Sequence, residues 1–161
     1  MGKAVKVSED LNKFEKFLKD YRDFLGEVVE EQNQKLAILL THDIEAIGQN
    51  ATRQQAITLE IKGYEENRIQ LQKEAGFGDK TLGEIVESLH GPQRQRFRQY
   101  HQELQQAVEQ IKFLNSKAMQ MVETNLQVIS MIAPETQSYN EEGHQISGIS
   151  TGSSTILDSK I

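Results

Sequence analysis

The sequence has no cysteine, no tryptophan and only two prolines. Without cysteine there are no disulfides, no thiol nucleophile and no iron–sulfur ligation. With so little proline, long stretches run free of helix breakers. Long apolar runs are also missing. The longest, Leu36 to Leu40, falls far short of the ~20 residues a membrane-spanning helix needs. The opening Met1-Gly2-Lys3-Ala4-Val5-Lys6 has no apolar h-region, so no signal peptide is expected, and Lys6 stands where a myristoylation signal has Ser or Thr. Asn50-Ala51-Thr52 then reads as a chance sequon. A cytoplasmic chain with no membrane insertion is expected. The net charge of −6 argues against work on nucleic acid phosphates. Gln93-Arg94-Gln95-Arg96-Phe97-Arg98 is locally basic, but Arg96 departs from the side shared by Arg94 and Arg98, and a solvated flank is the better reading.

What the chain does contain is Gln, Glu and Lys alternating with Leu and Ile, over a length suited to one domain. This composition predicts an all-α fold: an elongated antiparallel bundle or coiled coil of three long helices plus one short one. The helical domain spans 1–133, and a flexible polar tail, 134–161, follows. Ser8 is a candidate N-cap for the first helix. Leu11, Phe14, Leu18, Tyr21, Leu25 and Val28 then follow 3-4 spacing, continuing through Gln32 and Leu36 to Leu39. This helix ends near Thr41-His42. Asp43 can cap a second helix, whose stripe includes Ile57, Ile61, Tyr64 and Leu71 and stops at Gly76-Phe77-Gly78. Whether 41–44 is a turn or a kink stays open, although the comparable lengths of the resulting rods favour a turn. Thr81-Leu82-Gly83-Glu84 has the form of a capping box for a short helix, and Pro92 suits the first turn of the last one. Pro134 stops that helix at Ala133.

The last helix carries three adjacent columns with a seven-residue repeat. One runs Phe97, Leu104, Ile111, Ala118, Asn125, Ile132. The others run Tyr100, Ala107, Leu114, Met121, Val128 and His101, Val108, Asn115, Val122, Ile129. At ~100° per residue this face is wider than the seam of a two-stranded coiled coil and needs more than one partner. Apart from Met1, the methionines all lie between Met119 and Met131, beside Val122, Leu126, Val128 and Ile129. Such adaptable side chains serve equally as core filling or as a surface for a foreign helix. Asn115 and Asn125, within the columns, either fix register or mark where the seam opens.

No reaction is legible. Glu87-Ser88-Leu89-His90 matches one Glu-x-x-His motif of di-iron bundles, but the second motif those bundles require is absent. His101 lies beside Tyr100 at a seam position and reads as a hydrogen-bonded or partly exposed histidine. There is no phosphate loop, nucleophile elbow or triad. We expect no enzymatic activity, no cofactor and no metal.

The order of elements resembles the FlgN-type flagellar export chaperones over nearly the whole chain. The break at Thr41-His42-Asp43-Ile44 is similar to the family's Gly-Asp-Leu break. Arg68-Ile69-Gln70-Leu71, Gly76-Phe77, Lys80-Thr81-Leu82-Gly83-Glu84-Ile85 and Leu114-Asn115 follow in the family's order. Tyr139-Asn140-Glu141-Glu142-Gly143 resembles its Tyr-Gly-x-x-Gly segment, with Asn140 replacing a glycine, and Ile156-Leu157-Asp158-Ser159-Lys160 closes in similar style. The resemblance implies a chaperone that binds the C-terminal segments of hook–filament junction proteins of the FlgK and FlgL type through its C-terminal half. It also implies docking at the flagellar export gate through Tyr139. We therefore expect Leu114, Met121, Val122, Leu126, Val128 and Ile129 to hold the client. The main alternative is a homo-oligomeric structural coiled coil, such as a homodimer, and a metal-dependent helical enzyme comes third.

Overall fold

A 3-4 apolar stripe running the length of a helix needs partners along that whole length, and the first helix has two. The computed structural model describes residues 2–132. It contains α1 (Gly2–Thr41), α2 (Ile44–Glu74), α3 (Leu82–Ser88) and α4 (Gly91–Ile132), with no strand among the described residues. The tail 134–161, including Tyr139, lies outside them. Ser8 does not cap α1, which begins at Gly2. Nothing between Lys3 and Val7 breaks a helix, so it starts earlier than the serine signal suggests.

The break after α1 is a turn. His42 takes the left-handed conformation at φ 55°, and the Asp43 carboxylate accepts from the amides of Glu45 at 3.0 Å and Ala46 at 3.1 Å. Those bonds satisfy two of the donors that open α2. At its other end, α2 closes in a Schellman motif. The Gly76 amide donates to the Lys73 carbonyl at 3.0 Å and the Phe77 amide to that of Gln72 at 3.1 Å, with Gly76 at φ 88°. The capping box of α3 forms in full. The Glu84 amide donates to Thr81 Oγ1 at 3.2 Å, and Glu84 Oε2 accepts from the Thr81 amide at 2.7 Å. Gly91, at φ 61°, turns the chain into α4.

Cross-helix contacts fix the directions. Tyr21 meets Glu65 and Gln32 meets Gln54, so α1 and α2 are antiparallel. Glu15 meets Arg96 and Arg22 meets Glu103, so α4 runs parallel to α1 in an up-down-up order. The backbone of α1 approaches both α2 and α4 closely, whereas α2 and α4 make no such approach to each other among the described residues. The central helix is therefore α1. Phe14, Leu18, Tyr21, Leu25 and Val28 carry its buried face against Ile57 and Ile61 of α2 and Phe97, Leu104 and Ile111 of α4. Leu82, Ile85 and Val86 of α3 close the end where α4 begins. An aromatic stack locks α1 onto α2: the Tyr64 ring lies 4.3 Å from that of Phe24 and 5.2 Å from that of Tyr21, each tilted by only 11°.

Candidate functional site

Burial along α4 is deepest between Phe97 and Ile111 and fades toward the C-terminal end, with Tyr100 and His101 at the head of two columns half-buried. In the first column Phe97, Leu104, Ile111 and Ala118 are fully buried, Asn125 is half-buried, and Ile132 is exposed. The second column passes from buried Ala107 through half-buried Leu114 and Met121 to exposed Val128. The third passes from buried Val108 through Asn115 and Val122 to exposed Ile129. A helical face that stays apolar while losing its cover has lost its neighbour, not changed its character.

The register shows where the neighbour ends. The α1–α4 pairs Glu15–Arg96 and Arg22–Glu103 are 81 positions apart, and Lys35–Asn115 is 80 apart. Thr41, the last residue of α1, is thus level with Met121 and Val122. Residues 123–132 project past the α1–α2 turn for roughly 15 Å at ~1.5 Å per residue. On this overhang Leu126 is 59 %, Ile129 57 % and Met131 82 % exposed. Two further apolar side chains, Leu40 and Ile44, are exposed at the turn itself. Of the residues expected to hold a client, Leu114, Met121 and Val122 are half-buried at the root of the overhang, and Leu126, Val128 and Ile129 are open on it. The three methionines follow the same gradient, with Met119 and Met121 at the root and Met131 near the tip.

The other candidates resolve as structure. Arg94 and Arg98 pair with Glu87, and Arg96 with Glu15, so the basic run is tied to carboxylates. Glu87 is thereby engaged, and no cluster of three or more metal-ligating side chains exists among the described residues. His101 is half-buried, with its ring edge 3.4 Å from where a side chain at Gly83 would begin. Burial holds its pKa below the usual histidine value.

Sequence reading missed the buried polar groups. Tyr21 donates to Glu65 Oε1 at 2.7 Å. Arg68, fully buried, grips the same carboxylate at 2.9 Å and donates to Gln72 Oε1 at 2.9 Å. Gln72 Nε2 in turn donates to the carbonyls of Gly78 at 2.8 Å and Lys80 at 2.6 Å. Burial, then the adjacent Glu65 charge, pushes the Tyr21 hydroxyl far above its ordinary pKa. The signal for this network was its spacing, since 57, 61, 64, 68, 71 and 75 is unbroken 4-3-4-3-4 with an arginine in it. The α1 stripe also needs a correction. After Gln32 the seam passes through Lys35, which is buried, while Leu36 is half-buried beside it. Lys35 Nζ donates to Asn115 Oδ1 at 2.5 Å, and burial lowers its pKa to about 8.

No helix among the described residues is long and apolar enough to cross a membrane. No curated protein and no solved structure matches the chain. The family model described as FlgN protein matches residues 10–143, most of the chain and every element from α1 to the overhang. The protein therefore belongs to the FlgN family, the flagellar export chaperones of the hook–filament junction proteins.

Proposed function

We propose that this chain is a cytoplasmic, non-enzymatic chaperone that seats the C-terminal amphipathic helix of a junction protein on the uncovered length of α4. In doing so it keeps that helix from associating prematurely and brings it to the export gate. The observation that carries this reading is the overhang. Upstream, the apolar face of α4 packs against α1 and α3, and past Thr41 the same face continues with no other helix on it among the described residues. A client helix laid there would follow the helix-in-groove mode, with anchors at spacings of three and four. Covering ~600 Å² of apolar client surface is worth roughly 15 kcal/mol gross at ~25 cal/mol per Å². Association and ordering costs remove a large part of that, so binding stays releasable.

The test is co-purification. Replacing Val122 and Ile129 together with Asp should abolish capture of a junction protein's C-terminal segment while leaving helicity intact. Unchanged capture would move the site away from α4. Delivery is assigned to Tyr139 by its place in the family-like tail segment. Tyr139→Ala should hold the client but export it poorly, and normal export would reject that role. If native mass spectrometry instead finds a tight oligomer that ignores client peptides, the overhang serves self-association and the chaperone reading fails.

A further inference from the structure

The overhang is short for its task. Ten residues of helix give about three turns, enough for two or three anchor positions. Directly below it, where residues 32–41 pack against 44–54 and against 112–122, the bundle is built unlike the rest. The contiguous hydrophobic cluster does not extend into this section, whose buried apolar side chains Leu39 and Ala118 lie outside it. Its inward positions hold Gln32, Lys35, Gln54 and Asn115. Gln32 Nε2 donates to Gln54 Oε1 at 2.8 Å, but Gln32 Oε1 and Gln54 Nε2 are buried without partners. Turning both amides over leaves one donor and one acceptor unmatched in the same way. Lys35 is a buried cation whose partner is a neutral amide.

Each of these groups loses hydration when the section is closed and recovers it when water enters. Opening here forfeits little apolar contact and relieves buried polar groups, so closure is weaker than in the aromatic half. We propose that the distal ends of α1 and α2 open away from α4 by local unfolding, and that an amphipathic client helix takes the vacated line. The client's seat would then run from Leu114 through Ala118 and Val122 to Ile129, continuous with the overhang. This rests on the chaperone reading for its occupant, but the parting itself does not depend on a client.

Hydrogen exchange on the full chain without client tests the parting. Amides of 32–41 should exchange at least about tenfold faster than those of 14–28 through a common opening. Equal protection in the two segments overturns the proposal. The combined variant Gln32→Leu, Lys35→Met, Gln54→Leu fills the section with apolar side chains of similar size. It should slow exchange over 32–41 and weaken binding of a synthetic peptide carrying a junction protein's C-terminal helix by at least about tenfold. Undiminished binding with slowed exchange overturns the extended seat. If the unaltered chain binds no such peptide, the chaperone reading fails and the occupant with it, while the exchange comparison still decides the parting.

Discussion

Lys35 on α1 reaches Asn115 on α4, nitrogen to oxygen 2.5 Å apart, and each stands in a stripe made mostly of apolar side chains. The pair marks the boundary between two kinds of interior. On one side lie Phe14, Tyr21 and Phe97 in an aromatic core; on the other lie the amides beneath the overhang.

Lys35→Met should raise stability at neutral pH by ~1 kcal/mol, because a desolvated charge with a neutral partner is removed. The sign with pH is fixed. The folded-state pKa, about 8, lies below the unfolded value, so the charge costs stability at all pH below 8. That cost disappears as pH rises from about 8 toward the ordinary lysine value of ~10.4. Urea unfolding of both proteins at pH 7 and pH 10 should show the gap narrowing at the higher pH, and a gap independent of pH would contradict this account.

Arg68→Ala should cost ~3 kcal/mol, since it strands the Glu65 carboxylate in the interior. Replacing both partners, Glu65→Leu with Arg68→Leu, should cost less than the single change. Denaturant midpoints at constant slope check the order, and equal losses would mean the pair is not a unit.

Leu104 and Ile129 are both apolar residues of the α4 columns, and their substitutions should have opposite signatures. Leu104→Ala opens a hole in a fully buried site and should cost ~3 kcal/mol. Ile129→Asp lies on the overhang and should stay within ~0.5 kcal/mol of the parent. Thermal melts of the two variants decide it. A large loss from Ile129→Asp would show that the tip is packed in solution.

Gly76→Ala should destabilise by ~1 kcal/mol although no neighbour lies within 4 Å of the added carbon, because the backbone is left-handed there. Asn at the same position should recover part of the loss, as measured by the same melts.

Helix content, the order of elements and nearly every boundary were legible, because stripes, caps and stops agree. Asp43, Thr81 and Gly76 each perform the local role their residue type suggests. The columns of α4 were legible as a face, but not the point at which its cover ends. That point depends on the register between α1 and α4, set by long-range pairs such as Arg22 with Glu103 that no local pattern encodes. The interior polar residues escaped for a related reason. Arg68 and Lys35 occupy stripe positions, yet polar side chains in a stripe read as interruptions until their interior partners are known.

Gln72 clasps the two carbonyls that precede α3, and so sets where α4 sets out. A helix is a stiff rod, so a one-residue slip at that origin would rotate the whole of α4 by ~100° against α1. The bearing of the exposed tip thus depends in part on contacts some tens of ångströms away, at the opposite pole of the molecule. Damage to the clasp would aim the tip wrongly without touching a single residue on it.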